Sequence, residues 1–160
     1  MSSQVEVRPE PSTSALATRL LASFVDEVAT RLPEGFDPAR SVSATPDELA
    51  PPAGDFLVVF DPSGDGVGCG GLKDLGSRVF ELKRMWIAPS HRGRGYARAL
   101  LSALEDRARD LGAVELRLDT SAVLDEAVAL YRASGYVDIA AYNDNPYASL
   151  WFAKHLSAAS

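Results

Sequence analysis

The residues with the most chemical promise lie in one stretch, Glu81 to Leu101, which reads ELKRMWIAPSHRGRGYARALL. A long strand pattern runs into Pro89, and a loop rich in Gly and Arg then opens directly onto an amphipathic helix. The first turn of such a helix leaves backbone N–H groups without acceptors, and the helix dipole adds partial positive charge at that end. Gly93 and Gly95 have no Cβ, so a ligand can approach the main chain closely. Arg92, Arg94 and Arg98 add formal charge. Together these residues form a cradle for a diphosphate. Two other diphosphate loops are excluded. The turn Gly93-Arg94-Gly95-Tyr96-Ala97-Arg98 lacks the third glycine of the dinucleotide fingerprint, and no Gly-Lys-Ser/Thr follows, as a nucleoside triphosphate loop requires.

Charge distribution points the same way. The net charge of −6 argues against a nucleic-acid partner. Yet between Lys83 and Arg109 the chain carries Lys83, Arg84, Arg92, Arg94, Arg98, Arg107 and Arg109 against only Glu105 and Asp106. An acidic protein that gathers its cations in one segment holds a compact anion there. The surplus of acid elsewhere suits either a solvated surface or a cationic acceptor such as an amine.

Those residues need a scaffold, and the periodicity supplies one. Val5 and Val7 alternate with polar residues as a short strand. Leu16, Leu20, Phe24 and Val28 recur at i+4 across Ser14 to Leu32, a helix that Ser12, Thr13 or Ser14 caps and Pro33 with Gly35 ends. Thr45-Pro46-Asp47-Glu48 is a capping-box pattern and predicts a short helix before Pro51-Pro52. Phe56–Phe60, Val67–Leu72 and Val79–Ile87 read as a meander, the first two joined through the turn residues Asp61 to Gly66. Alternation along the third puts Glu81, Lys83, Met85 and Ile87 on one face and Leu82, Arg84 and Trp86 on the other. A helix from Ala97 to Leu111 follows, then a strand at Val114–Leu118, a helix at Asp125–Ala133, and strands at Tyr136–Ile139 and Leu150–Phe152. This order predicts a mixed α/β (α+β) sheet with helices on both faces.

Here a family resemblance emerges. Arg92-Gly93-Arg94-Gly95-Tyr96-Ala97 resembles the R/Q-x-x-G-x-G/A motif of the GNAT acetyltransferase superfamily, with Ile87-x-Pro89 as its lead-in. Ala129 to Tyr136, ALYRASGY, is similar to that family's A-x-x-L-Y-x-x-x-G-F/Y element. The resemblance covers Val5 to Leu156 in element order and Glu81 to Tyr136 in specific motif. It implies a mostly antiparallel central sheet of six to seven strands with a splayed cleft for acetyl-CoA, the acetyl donor. Backbone groups of Met85, Trp86 and Ile87 would pair with the pantetheine arm, and the segment from Arg92 through Gly93, Arg94, Gly95, Tyr96 and Ala97 to Arg98 would hold the pyrophosphate. Tyr131, by periodicity alone a core aromatic, would donate a proton to the departing thiolate. Glu81, by chemistry alone a salt-bridge partner for Lys83 or Arg84, would serve as base for a primary amine. One departure stands out: relatives carry an Asn seven residues before the tyrosine, where this chain has Leu124, with Thr120 or Ser121 as substitutes.

The implied activity is N-acetyl transfer from acetyl-CoA to a primary amine, of a small molecule because no peptide groove is signalled. The alternatives are an acetyltransferase acting on a protein N-terminus or lysine, and a non-catalytic acyl-CoA-binding module. Arg84 could bind a carboxylate on the acceptor, and Tyr142, Asn143, Asp144 and Tyr147 form either an exposed loop or the acceptor mouth.

The remaining features are bland. Cys69 is the lone cysteine, which excludes an internal disulfide and marks a small core residue in a reducing compartment. His91, expected at the surface, and His155 do not make a metal-ligand spacing, so no metal is expected. Trp86 and Trp151 read as core anchors. The longest apolar runs fall far short of the roughly 20 residues that span a bilayer. No leader pattern opens the sequence, so a cytoplasmic protein without membrane contact is expected. A length of 160 residues fits one domain over 1–160, with its core at about 4–156 and loose polar ends at Met1–Ser3 and Ser157–Ser160. Edge strands near the C-terminal end could pair between chains into a homodimer.

Overall fold

The computed structural model describes residues 5–41 and 44–157, so the predicted loose ends at 1–3 and 158–160 lie outside the described residues. Ser157 itself is tied down, its carbonyl accepting from Arg109 Nε at 2.9 Å. The strands are β1 (Glu6–Pro9), β2 (Gly54–Phe60), β3 (Gly66–Gly76), β4 (Val79–Ile87), β5 (Glu115–Thr120), β6 (Val137–Asp138) and β7 (Leu150–His155). They form one seven-stranded open sheet in the order β1-β2-β3-β4-β5-β7-β6, antiparallel at every pairing except β4 with β5. The helices are α1 (Ala15–Arg31), α2 (Tyr96–Asp110) and α3 (Asp125–Ala133). The expected mixed, mostly antiparallel sheet with helices on both faces is therefore present.

Each helix buries the stripe that its periodicity marks. Ser14 caps α1, its hydroxyl oxygen accepting from the Ala17 N–H at 3.0 Å. Ala17 and Leu20 then pack with Leu49, Phe56, Val58 and Cys69 on one sheet face. Leu100, Leu101 and Leu104 of α2 pack on the other face with Leu57, Leu72, Leu82 and Ile87, joined by Val128 and Tyr131 of α3. The lightly built β3 explains how close both layers come. A Cβ at Gly70 would sit 2.7 Å from Leu104 Cδ1, and one at Gly71 would sit 2.9 Å from Leu49 Cδ2. Bulkier residues there would push the helix and the Leu49 turn off the sheet.

The local geometry of β4 departs from simple alternation. Gly71 pairs with Lys83 and Cys69 with Trp86, so Gly70 alone opposes both Arg84 and Met85. That is a β-bulge, and Arg84 takes a left-handed φ of 59° within it. The extra residue flips the facing beyond it. Met85 and Ile87 join the α2-side core with Leu82, whereas Trp86 turns to the α1 side. The predicted common face for Glu81, Lys83, Met85 and Ile87 is thus corrected: only residues before the bulge keep that phase. Pairing between β4 and β5 covers just Val79–Glu81 against Glu115–Arg117. From Leu82 onward the two strands part, leaving the β5-facing edge of β4 unpaired.

Other boundaries moved for local reasons. The capping box at Thr45 forms, with the Thr45 N–H donating to Glu48 Oε1 at 2.9 Å and the Glu48 N–H donating to Thr45 Oγ1 at 3.3 Å. It makes turns rather than the expected helix, because Pro51 and Pro52 stop propagation within a few residues. β7 continues to His155, beyond the predicted Phe152, since β5 offers it a full antiparallel edge.

Candidate active site

Where β4 and β5 separate, the carboxyl end of β4 and the N-terminus of α2 wall a cleft of about 420 Å³, with α1 and α3 opposite. Of the residues expected to hold the donor, Met85, Trp86, Ile87, Arg92, Gly93, Gly95, Tyr96, Ala97 and Arg98 line it; Arg94 does not. Gly95 is the N-cap of α2 with φ 85°, and no side chain caps the helix. A Cβ at Gly95 or Gly93 would meet nothing within 4 Å. The main-chain N–H groups at this end thus open onto free space, a fit for the oxygens of a diphosphate. Arg94 and Arg98 make no ion pair or side-chain hydrogen bond among the described residues.

Arg92 lines the cleft with its guanidinium engaged by groups of the protein itself. Its Nε donates to the Ile87 carbonyl at 2.8 Å and its Nη2 lies 2.6 Å from Glu27 Oε1. Trp86 Nε1 donates to the same Glu27 oxygen at 2.9 Å, and Arg31 Nη1 stands 3.7 Å from Oε2. Burial pushes the Glu27 carboxyl up, but hydrogen bonds from Arg92 and Trp86, with the charges of Arg92 and Arg31, outweigh it and hold the group below its ordinary value. Glu27 therefore staples α1 to the end of β4 and to the loop entering α2. His91 braces the same loop instead of lying free at the surface: Nδ1 is 2.8 Å from Ser90 Oγ and Nε2 is 3.1 Å from Asp61 Oδ2.

A second, smaller cavity of about 110 Å³ shares Phe24, Val28, Met85, Leu124, Ala127 and Tyr131 with the cleft. Tyr131 stands at the junction, 7% exposed, its hydroxyl 3.8 Å from Met85 Sδ. Burial pushes its phenol up to about 12, and the charge of Asp119 acts in the same direction. The group stays protonated through neutral pH. Full transfer of its proton to a thiolate whose conjugate acid lies near 8.5 would be uphill by about 5 kcal/mol, so a strong hydrogen bond is the contribution this phenol is suited to make.

The small cavity is lined beyond that junction by Phe36, Arg84, Asp119, Thr120, Ser121, Asn145 and Tyr147. Asp119 is fixed by two amides: Asn143 Nδ2 donates to Oδ2 at 2.7 Å and Asn145 Nδ2 to Oδ1 at 3.0 Å. Asn143 in turn accepts from Trp151 Nε1 at 3.0 Å. Glu81 sits elsewhere. It is 1% exposed, accepts from the Tyr142 hydroxyl at 2.6 Å, has Lys83 Nζ 3.6 Å away, and lines neither cavity. Leu124 lines both cavities as an apolar surface at the position where the motif's Asn would stand, while Thr120 and Ser121 lie in the smaller one. Cys69 is fully buried, and burial pushes its thiol up to about 12.

The family model described as the Acetyltransferase (GNAT) family matches residues 16–136. The chain belongs to this family. It is 41% identical over 91 residues to the IAA acetyltransferase of Azospirillum brasilense, a match covering 56% of this chain and 59% of that protein. It is 37% identical over 89 residues to the uncharacterized N-acetyltransferase YjgM of Escherichia coli (strain K12), covering 54% of this chain and 53% of the other. The chain thus spans between half and two thirds of the length of these two curated relatives. The N-alpha-acetyltransferase RimI of Mycobacterium tuberculosis is 35% identical over 130 residues, 79% of each chain. Among solved structures, a candidate acyl-CoA N-acyltransferase from Klebsiella pneumoniae superposes with a TM-score of 0.78 at 28% identity, covering 98% of this chain and 100% of that one. The fold is also that of the spermidine N-acetyltransferase from Vibrio cholerae solved with CoA and spermine, at TM-score 0.69 and 20% identity over 97% of both chains.

Within this GNAT chain, the motif residues account for the larger cleft. Glu27, Phe24, Phe36, Asp119 and Asn145 were not singled out as site residues from sequence. Asp119 had a faint signal, as the last member of the polar face Glu115, Arg117, Asp119. The others carry none that a helix or loop position would reveal.

Proposed function

We propose that this GNAT chain is an acetyl-CoA-dependent N-acetyltransferase that acts on the primary amine of a small molecule. The observation that carries the reading is the meeting of two unlike cavities at Tyr131: one walled by an uncapped helix end and the unpaired Arg98, the other small and bearing the Asp119 carboxylate. Acetyl-CoA supplies the acyl group as a thioester. The amides from Gly93 to Arg98, with Arg98 and Arg94, bind the diphosphate. The open edge of β4 from Met85 to Ile87 holds the arm as an added strand and offers an N–H to the thioester carbonyl. An amine nitrogen entering from the smaller cavity forms the new C–N bond as the C–S bond breaks. Its surplus proton leaves toward Asp119, directly or through water, and Tyr131 hydrogen-bonds the departing sulfur. Asp119 is assigned this part rather than Glu81 because it faces the acceptor cavity, whereas Glu81 is enclosed by Tyr142 and Lys83.

The small volume beyond Tyr131 favours a compact acceptor over an extended peptide. Release of free thiol from acetyl-CoA across a panel of small amines and short peptides tests this. Turnover confined to small amines is expected; turnover of peptides alone would replace the reading with acetylation of protein N-termini.

A further inference from the structure

Lys83 and Arg84 both line the acceptor cavity, but Lys83 Nζ lies 3.6 Å from Glu81 Oε1 whereas the Arg84 guanidinium has no carboxylate partner among the described residues, and its placement is costly. A non-glycine residue at φ 59° is strained by about 1–2 kcal/mol, and such strain persists only where the surroundings enforce it. The bulge turns the guanidinium onto two aromatic rings, 5.6 Å from the Phe24 centroid and 5.8 Å from that of Phe36. Phe36 leans on Tyr147 at 4.8 Å, which completes an aromatic wall. Among the described residues the Arg84 side chain donates no hydrogen bond and forms no ion pair, although Asp119 lines the same cavity. Partial burial lowers its affinity for the proton, with Asp119 opposing, as expected of a cation drawn partly out of water without a bonded anion. Charges withdrawn from water are ordinarily paired, and a planar guanidinium is shaped for a carboxylate.

We propose that the acceptor carries a carboxylate as well as its primary amine, and that Arg84 binds this carboxylate while the amine is directed to Asp119 and Tyr131. The acceptor is thus an amino acid or a closely related amino-carboxylic acid, the aromatic wall of Phe24, Phe36 and Tyr147 enclosing its side chain. This rests on the acetyl-transfer reading above.

The test uses the full chain with acetyl-CoA and a panel of α-amino acids, each paired with its decarboxylated amine (L-phenylalanine with 2-phenylethylamine, L-methionine with 3-(methylthio)propylamine, glycine with methylamine). Thiol release gives kcat/KM for each member. For the best pair, the acid is expected to exceed the amine by about 100-fold or more, since a site built for a charged group rejects the analogue lacking it. Arg84→Gln should bring that ratio to within a few-fold while the calorimetric affinity for CoA is unchanged. Arg84→Lys, which keeps the charge and stem, should restore part of the preference. Comparable turnover of acid and amine in the unaltered protein would overturn the proposal, as would turnover of neither or a ratio insensitive to both Arg84 variants. Loss of CoA binding in the unaltered protein would instead overturn the acetyl-transfer reading itself.

Discussion

Replacing Gly95 by Ala separates the cradle from the fold. Gly95 has φ 85° and nothing within 4 Å of an added Cβ, so the substitution introduces backbone strain but no clash. That strain is about 1–2 kcal/mol, against a typical domain stability of about 5–15 kcal/mol, so the variant should remain folded. The methyl group would nevertheless project into the space where diphosphate oxygens approach the α2 N–H groups. Losing one or two charge-assisted hydrogen bonds, at about 1.5–3 kcal/mol each, weakens binding by about 10-fold to 10⁴-fold. Gly112 provides a matched control. It lies past the opposite end of α2, on the order of 20 Å away, with φ 94° and nothing within 4 Å of its virtual Cβ. Gly95→Ala and Gly112→Ala should therefore melt within a few degrees of each other by circular dichroism. Calorimetric titration with CoA should find Gly112→Ala unaltered and Gly95→Ala at least about 10-fold weaker. Equal affinities in the two variants would refute the assignment of the cradle.

Tyr131→Phe should lower kcat by about 10–100-fold, the worth of one hydrogen bond to developing charge, with the CoA dissociation constant within two-fold of the parent; an unchanged kcat would remove the hydroxyl from the reaction. Glu27 has a depressed carboxyl, so the stability it confers is complete above its unfolded value near 4.5 and is lost as pH falls through the lower folded value. Glu27→Gln should accordingly cost about 1–2 kcal/mol at pH 7, and its denaturation midpoint should converge on the parent's below pH 4.5; a penalty that persists in acid would show that charge is not its basis. Cys69, with its thiol pushed up to about 12 by burial, should not react with an aromatic disulfide reagent at pH 8 until the protein is denatured; prompt labelling would contradict the packing of the α1-side core.

What the sequence disclosed, and what it did not, follows from how local each feature is. The strand, glycine turn and helix start that wall the larger cleft were readable because they are contiguous between Glu81 and Arg98, and their geometry depends on neighbours within a few residues. The meander of β2, β3 and β4 followed from alternation and turn residues, and the β2–β3 turn is fixed by Asp61, whose side chain accepts from the Ser63 and Asp65 N–H groups. The β4 bulge had no such marker, since neither Gly nor Pro stands at Arg84 or Met85, and it reversed the facing of every later residue in the strand. The smaller cavity was legible only at Arg84 and Tyr147, for a different reason. Phe24, Phe36, Arg84, Asp119 and Asn145 come from five separate segments, and only tertiary packing brings them together. Likewise Arg92 matches a phosphate-binding motif position, yet Glu27, 65 residues earlier, decides where its side chain points.

The most direct measurement of the central claim is calorimetric titration of the full chain with acetyl-CoA and, separately, with CoA. Binding of both at a single site with micromolar affinity, weakened by Gly95→Ala and not by Gly112→Ala, is the predicted result. Absence of heat with either ligand would contradict it, leaving the Arg92 to Arg98 loop as a basic helix entry and the cleft without its assigned occupant.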